Sequence, residues 1–394
     1  MKVKLSLSYI NEKDRCTSMT ELKQGKGSFK FIGKVSRIDK DGAFKEEVAT
    51  KGKKEGDTYR SLRFGVKTSE NNEMTVQMYD FEPTEVFLWN NDKKKADKNY
   101  KGEKMPFEEW EEQQEELREQ GTAVLQSRVG LTYNEEGKID SKGLPSFVAS
   151  EKIYDNLSNN DSIVVEGTIR YSNYTNTTTN KVIEQKTYTI TKIFKLKDVD
   201  FESEKFEEVT YFEQEIVFVS ALAEKKENKV FVTGRIIDYY KNFHDTEFVI
   251  DYSDGIGGTD AGMVKLAQTF LKKFKFGDVL NVFGDALNRV VVAEADEEED
   301  EDDDLASLIG GKSKPKHAQA YVTKTYISEM QIQGVDAWDK KVYKEEDFVK
   351  DELIEEKEDL SDELGGKKKD KKNKNPFGDD EVDGIEIDDD DLPF

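Results

Sequence analysis

Aromatic and cationic side chains alternate with apolar ones along residues 58–67, which read TYRSLRFGVK. Successive side chains of a β-strand point to opposite faces, so this segment is predicted to turn its Leu, Phe and Val residues inward. The outward set is then Tyr59, Arg63 and Lys67. Cations contact phosphate groups and aromatic faces stack on bases, and this combination is typical of surfaces that hold single-stranded nucleic acid.

Further residues of the same two types are predicted to extend this surface. They come from the first and third strands of the same module and from a hairpin near residue 174. The complete predicted set is Lys34, Arg37, Tyr59, Arg63, Lys67, Tyr79, Phe81, Arg170, Tyr171, Tyr174, Lys186 and Tyr188. Taken singly, each aromatic residue fits a core position and each cation a solvated surface equally well, so the prediction depends on the set as a whole.

A weaker cluster of the same kind lies further along the chain. It is a possible second site and consists of Arg235, Tyr239, Tyr240, Lys241 and Phe243. The hairpin that would adjoin it carries residues 294–304, which include 10 acidic and no basic residues and would repel phosphate. A structural or protein-contact role is therefore favoured for this part of the chain, and a regulated second DNA site is the alternative.

The elements that must position these residues are indicated by two motifs that each occur twice. Residues 29–35 (FKFIGKV) are similar to 230–236 (VFVTGRI), and 161–167 (DSIVVEG) are similar to 278–284 (DVLNVFG). In each copy a helix-like stretch precedes the second motif and a β-rich run follows it. This order, with Gly33 and Gly234 at a bend in the first strand, predicts tandem OB-folds, which are five-stranded Greek-key barrels.

The predicted fold is mainly β, with a helical insertion in the first OB-fold and a disordered acidic C-terminal tail. The predicted organisation is an N-terminal arm (1–28), a first OB-fold module (29–196) with an insertion (82–146), a bridging segment (197–228), a second OB-fold module (229–335) and a tail (336–394). In the insertion, Pro106 and Gly121 delimit a helix on which Phe107, Trp110 and Leu117 share one face. We expect this face to dock onto its own module, and a partner protein is the alternative.

The net charge of −24 is concentrated in two segments. Residues 294–304 contribute −10, and residues 345–394, with 21 acidic and 8 basic residues, contribute −13. The rest of the chain is nearly neutral, so a folded body with a basic face is compatible with the acidic total.

Composition argues against most catalysis. Cys16 is the only cysteine and His244 and His317 are the only histidines, so thiolate zinc sites and most histidine chemistry are excluded. The glycine-rich run 255–259 lacks the lysine of a phosphate-binding loop. We predict a protein that is not an enzyme and has no cofactor and no metal. With no apolar run long enough to span a membrane and no signal peptide, a bacterial cytoplasmic location is expected.

The chain ends in four aspartates, a leucine, a proline and a phenylalanine. We call this end the tip, and it consists of Asp388, Asp389, Asp390, Asp391, Leu392, Pro393 and Phe394. It closely resembles the C-terminal tip of bacterial single-stranded-DNA-binding proteins, which ends in an Asp run followed by Ile or Leu, Pro and Phe. In that family the tip recruits replication, recombination and repair enzymes. The resemblance implies that Phe394 enters an apolar pocket while a basic residue of the partner holds its carboxylate.

The resemblance implies a protein that coats single-stranded DNA and recruits bacterial enzymes. The ordinary family member is much shorter and has one OB-fold, so its tetrameric state is not carried over. A phage-encoded protein working in a bacterial host would explain a family-like tip on a divergent body. Two alternatives remain open: an adaptor that copies the host tail and barely binds DNA, and, with less support, an acidic mimic of DNA.

Overall fold

The structure of this protein is a computed structural model, and it describes residues 20–50, 52–176, 181–293 and 323–348. Within these ranges the chain is mainly β. The elements up to residue 195 are β1 (Gly27–Ser36), β2 (Phe44–Val48), β3 (Thr58–Lys67), β4 (Glu73–Phe81), β5 (Glu85–Asn90), α1 (Asn91–Ala96), β6 (Glu103–Pro106), α2 (Phe107–Glu119), β7 (Thr122–Val124), β8 (Ser127–Tyr133), β9 (Ile139–Leu144), α3 (Ser146–Asn156), β10 (Ser162–Asn176) and β11 (Lys181–Lys195). Those after it are β12 (Val209–Glu224), β13 (Lys229–Ile237), β14 (Phe243–Asp251), α4 (Ala261–Lys272), β15 (Val279–Ala293), β16 (Thr323–Asp339) and a 3₁₀ helix (Glu345–Phe348).

Five strands of the first half close a ring, which we call the first circuit. β1 pairs with β3, β3 with β4, β11 with β10, and β10 with β1, all antiparallel. The ring is closed by a parallel contact between β4 and β11. α3 lies between β4 and β10 in chain order and packs against β3 and β4. The inner face holds apolar side chains such as Phe31, Phe64 and Ile163, all fully buried.

Five strands of the second half close a second circuit with the same pairing order. β12 pairs with β13, β13 with β14, β16 with β15, and β15 with β12, all antiparallel. β14 and β16 are parallel at Val249 and Gln331. α4 again lies between the third and fourth strands of the circuit, and its Phe270 packs on Phe218 of β12 and on Phe274.

The two circuits share one continuous sheet. β1 pairs antiparallel with β12 from Gly27 opposite Gln214 to Ile32 opposite Val209. A single hydrophobic core contains buried residues of both halves. The circuits are therefore joined by backbone hydrogen bonds as well as by side chains.

The insertion forms elements of its own and packs on the first circuit. β5 pairs with β6 and β7 in a three-stranded sheet, and β8 runs parallel to β11 beyond the end of β4. The helix expected in the insertion is confirmed as α2, with Pro106 before it and Gly121, at a φ of 73°, after it. Phe107 and Trp110 are buried in the main core, and the Phe107 ring contacts that of Phe147 on α3. The apolar face of α2 thus docks onto its own chain.

The first of the two repeated motifs falls on strands that are not equivalent. Gly33 lies on β1, the first strand of its circuit, whereas Gly234 lies on β13, which pairs with β12 and β14 and is the second strand of its circuit. The expected equivalence of residues 29–35 and 230–236 is therefore wrong. Both strands bury every second residue, so they share a pattern that any half-buried strand shows. The second motif does fall on equivalent strands, β10 and β15.

Two expected boundaries also differ from the structure. Residues 197–228, expected to bridge two modules, contain β12, which pairs with β1, β13 and β15. The expected tail begins inside β16, and Phe348 of the 3₁₀ helix is buried against Phe243 and Tyr343. Acidic composition misled the prediction here, because a few aromatic residues among the acids are enough to fix this segment.

Residues 20–26 of the expected N-terminal arm run along the second circuit. The Gly25 amide donates to the Ile237 carbonyl at 2.9 Å, and the Thr20 amide donates to Asp347 Oδ1 at 2.8 Å. The acidic run 294–304 and the tip lie outside the described residues. None of the helices in the described ranges is long and apolar enough to cross a lipid bilayer.

Candidate nucleic-acid interface

The outer face of β3 and β4 carries three neighbouring aromatic rings, which we call the aromatic platform: Tyr59, Tyr79 and Phe81. Tyr59 lies directly opposite Phe81 in the antiparallel register. Ring centroids are 5.3 Å apart for Tyr59 and Tyr79, 5.8 Å for Tyr59 and Phe81, and 5.6 Å for Tyr79 and Phe81. Tyr79 is 45% exposed. The platform therefore offers ring surface to solvent, which is what base stacking requires.

The period of the two strands puts the platform on the outside. Leu62 and Phe64 of β3 are buried and lie opposite Met78 and Val76 of β4, which are buried too. The residues between them must then point outward. The prediction that residues 58–67 turn a mixed aromatic and cationic set away from the core is confirmed for this strand pair.

Cations continue the outer face beyond the platform, and we call Arg63, Lys67 and Lys34 the basic strip. The side chains of Arg63 and Lys67 are exposed. Lys67 lies directly opposite Lys34 across the β1–β3 pair, and Lys34 Nζ is 3.5 Å from Asp198. Lys67 also lies opposite Glu73 across the β3–β4 pair. Like charges directly opposite one another repel, so the lysine pair itself favours a bound anion.

Arg37 and Lys54 are held close to the same face. Arg37 has a φ of 60°, and its Nε donates to Glu73 Oε1 at 2.7 Å, so a phosphate must compete with Glu73 for it. Lys54 Nζ lies 4.4 Å from the centre of the Phe81 ring. Lys54 was not among the predicted residues because it belongs to a turn and not to a strand. The glycines on either side of it, Gly52 and Gly56, indicate that turn in the sequence.

The carboxyl group of Asp80 lies close to the platform, and its negative charge weakens the positive field of Lys54 beside Phe81. Burial raises the pKa of Asp80, and the hydrogen bond from Gln126, at 2.6 Å, opposes that rise. Lys54 and Arg170 also act on this carboxyl electrostatically. The predicted Arg170 therefore lies within electrostatic range of the end of β4.

The hairpin β10–β11 does not present the aromatic set that the sequence predicted. Tyr188 is buried in the core, where its ring meets Phe29 and Phe31 edge-on. Tyr171, opposite Lys186, donates from its hydroxyl to Met330 Sδ at 3.6 Å. For Tyr188 and Tyr171 the predicted contact with DNA is corrected to a packing role.

Lys186 shares this inward environment, because it lies opposite Tyr171 and its Nζ is 5.6 Å from the centre of the Tyr188 ring, and burial lowers its pKa to about 8. Ile163, Val165 and Ile169 of β10 point inward with a period of two, and this period continues to Tyr171. The same period in the sequence would have predicted that Tyr171 points inward. Arg170, of opposite parity, is exposed as predicted. The backbone of Tyr174 lies in β10, and its side chain is outside the described residues.

Most residues of the possible second site make contacts that hold segments of the chain together. Arg235 binds Asp245 through two nitrogens, at 2.6 and 2.7 Å, and its guanidinium lies 4.6 Å from the Phe243 ring. Lys241 Nζ donates to the Leu22 carbonyl at 2.5 Å. These contacts of Arg235, Lys241 and Phe243 agree with the favoured structural role and not with the alternative of a second DNA site. Tyr239 and Tyr240 remain on the surface, 72% and 59% exposed.

The expected absence of a metal site stays a prediction. In residues 20–348 outside the gaps, no group of three or more His, Cys, Asp and Glu side chains is arranged to hold a metal ion. His244 is buried and contacts Asn173 Oδ1 at 3.1 Å and Asp238 Oδ2 at 3.3 Å, so it links β14 to the β10–β11 hairpin.

Comparison with protein-family models identifies the family of this chain. The YorF family model matches residues 95–366, which is more than half of the sequence. The chain belongs to the YorF family. The matched region of this YorF chain begins within α1 and runs through the whole second circuit, so it includes most of the insertion.

The comparisons with curated proteins and with solved structures give no match and only distant matches, respectively. No curated protein matches the YorF chain. Among solved structures, the wild-type single-stranded DNA binding protein from Thermus aquaticus has a TM-score of 0.31 at 12% identity and covers 68% of the YorF chain and 87% of its own. A deletion mutant of the same Thermus protein has a TM-score of 0.32 at 12% identity, with coverages of 68% and 89%. Similarity at this level establishes neither function nor detailed fold for the YorF chain.

Proposed function

We propose that this protein binds single-stranded DNA on the outer face of β3 and β4. The observation that carries the proposal is the aromatic platform continued by the basic strip on one exposed surface. Bases would stack on Tyr79 and its neighbours, and phosphates would contact Arg63, Lys67 and Lys34. Each stacked base contributes roughly 1–3 kcal/mol without regard to sequence.

Each circuit is proposed to be an OB-fold. The strand order supports this, since in both circuits a helix lies between the third and fourth strands and the third and fifth strands are parallel. OB-folds bind nucleic acid on the face of their second and third strands, which in the first circuit are β3 and β4. The first module is proposed to span residues 29–196, and the second to begin at β12 and end with β16.

The biological role is proposed to be the coating of single-stranded DNA in replication, recombination or repair. The tip supports recruitment of bacterial enzymes, because its sequence combines a cluster of carboxylates with a hydrophobic end that suits a basic-rimmed apolar pocket. Synthesis by a phage in a bacterial host cytoplasm is the proposed setting.

The direct test is titration of the full-length protein with a labelled oligo-dT at several salt concentrations. Affinity should fall as salt rises, and Arg63→Ala should weaken binding and make the salt dependence less steep. Arg128→Ala is the matched control, because Arg128 bonds to Ser141 on the β8–β9 hairpin and is no part of the basic strip. No binding even at the lowest salt would reject the proposal.

A second candidate is an adaptor that holds bacterial enzymes through the tip and hardly binds DNA. Carboxylates already engage Arg37 and Lys34 near the platform, and this observation favours it. The same titration separates the candidates. An adaptor would capture bacterial enzymes while failing to bind oligo-dT at any salt concentration.

A further inference from the structure

The three-stranded sheet of the insertion has one buried and one exposed face. Val86, Leu88 and Val124 are buried on the inner side. The opposite side, which we call the insertion face, carries Phe87, Trp89 and Leu125, continued by the Lys104 side chain. Phe87 is 44% and Leu125 63% exposed, and Trp89 is half-buried. Exposed large apolar side chains grouped on one face indicate a contact surface.

Cations surround these apolar side chains. Phe87 lies directly opposite Lys104, whose Nζ is 2.8 Å from Glu85 Oε2. Lys94 Nζ is 5.8 Å from the centre of the Trp89 ring and donates to the carbonyls of Lys98 and Tyr100 at 2.7 and 3.0 Å. Residues 93–104 contain six lysines and two acidic residues. The insertion face therefore combines aromatic and cationic groups, as the platform does.

The insertion face lies beside the platform. A groove of about 400 Å³ is lined by Pro83, Phe87, Leu125 and Gln126, among others. Gln126 also donates to Asp80, which lies between Tyr79 and Phe81 on β4. Phe81 and Phe87 are six residues apart in the chain, so their Cα atoms are separated by at most about 20 Å. A bound strand that covers the platform is thus near enough to reach the groove.

We propose that the insertion face is a second stacking surface, which lengthens the single-stranded DNA site beyond the platform. This inference depends on the proposed function. Unpaired bases stack on Phe87 and Trp89, and Lys104 and Lys94 contact the phosphates. Nucleic acid is the favoured occupant, because Lys104 and Lys94 lie beside the rings and Gln126 links the groove to the platform strand β4 through Asp80.

Lys104 is the cation whose engagement can be tested most directly. Its hydrogen bond with Glu85 raises its pKa, so it is fully charged at neutral pH. Both partners are exposed, so a phosphate can replace Glu85 at small cost.

The experiment uses the full-length protein and oligo-dT of increasing length, from about 4 to 16 nucleotides, with binding followed by anisotropy. Phe87→Ala should leave the affinity for the shortest bound oligonucleotides unchanged and lower the affinity for longer ones by about 5- to 150-fold. Lys104→Glu should act in the same length-dependent way. Tyr133→Ala and Lys138→Glu, exposed residues of the β8–β9 hairpin, are matched controls that should equal the wild type at every length.

A second readout is tryptophan fluorescence. Long oligonucleotides should quench it, and Trp89→Phe should remove most of that quenching, because Trp110 is buried and Trp338 lies on β16 of the second circuit, outside the insertion face. Urea unfolding of each variant separates a loss of folding from a loss of contact.

The outcomes distinguish this inference from the proposed function. If oligonucleotides of all lengths bind and Phe87→Ala and Lys104→Glu match the wild type throughout, the insertion face is not part of the site and the proposed function still stands. If no oligonucleotide binds, both are rejected. If a peptide of residues 388–394 quenches Trp89 and long oligonucleotides do not, the insertion face is a protein-docking surface and the inference is wrong.

Discussion

Lys67 on β3 lies directly opposite Lys34 on β1, so two cations share one cross-strand position on the outer face. Lys34 is partly neutralised by Asp198, and Lys67 lies opposite Glu73 of β4 on its other side. The remaining repulsion between the two lysines favours a bound anion.

Lys67→Glu should therefore lower DNA affinity with little change in stability. It places a carboxylate opposite Lys34 but also opposite Glu73, and each cross-strand charge pair contributes roughly 0.2–1 kcal/mol, so the favourable and the unfavourable pair should offset each other in the free energy of unfolding. DNA affinity should fall, and the slope of log affinity against log salt should become less steep by about 1. Urea unfolding and oligo-dT titration measure the two effects. Lower stability together with unchanged affinity would contradict the role of the basic strip.

Tyr79→Ala should weaken binding by about 5- to 150-fold, the loss of roughly one stacked base. Stability should change little, because the ring is nearly half exposed. Tyr133→Ala removes a ring of similar exposure from the β8–β9 hairpin and should bind as the wild type does. Equal affinities of the two variants would remove the platform from the site.

Stability should rise between about pH 8 and pH 10.5 through Lys186. Burial lowers the pKa of this lysine from 10.5 to about 8, so below pH 8 the folded protein holds a buried charge at full cost. Above pH 8 the folded protein loses that proton while the unfolded chain keeps it, and the free energy of unfolding increases with pH. The neighbouring Tyr171 and Tyr188 do not interfere in this window, because burial raises the pKa of each.

Lys186→Met should remove this pH dependence and raise stability at pH 7. Lys192→Met is the matched control, because Lys192 is half exposed and paired with Glu166. Urea unfolding at half-unit pH steps gives the comparison. An unchanged slope in Lys186→Met would show that another group titrates.

Phe348→Ala should cost about 3 kcal/mol of unfolding free energy, the lower end of the range for a buried Phe. The ring packs against Phe243 and Tyr343, and the Arg235 guanidinium lies 4.7 Å from its centre. Tyr239→Ala, at an exposed position four residues before Phe243, should cost less than about 0.5 kcal/mol. If the two variants unfold alike, the 3₁₀ helix does not stabilise the second circuit.

Phe394→Ala should abolish capture of bacterial replication and repair enzymes and leave oligo-dT affinity unchanged. The reason is that the terminal ring and carboxylate are the groups that the tip resemblance assigns to the partner's pocket. Phe377→Ala, in the same tail but outside the tip, is the control. Capture that survives Phe394→Ala in a pull-down would reject the tip hypothesis.

Sequence reasoning succeeded where one local pattern decided the outcome. Period two on β3 placed Tyr59, Arg63 and Lys67 correctly, and Pro106 and Gly121 bounded α2 within one or two residues. In these cases the pattern depends only on neighbours in the chain, so no knowledge of tertiary packing is needed.

The predictions from sequence were wrong where tertiary packing determines the position of a side chain or a strand. Tyr188 and Arg235 have the residue types of a binding surface, but one fills the core and the other is clamped by Asp245 and Phe348. The strand order failed for a related reason, since β1 and β13 share a burial pattern but take different places in their circuits. The insertion face was not predicted because its rings and lysines converge only when β5, β6 and α1 are folded together.

β1 joins the two circuits, because it pairs with β10 and β3 of its own circuit and with β12 of the other. Rotation of one circuit against the other would break the β1–β12 hydrogen bonds. Domains joined by a linker close around a ligand, whereas a shared strand keeps the two halves at one fixed angle. We therefore expect the two circuits to keep one relative orientation with and without DNA, so that the second circuit acts as a rigid support for the strands that carry the site.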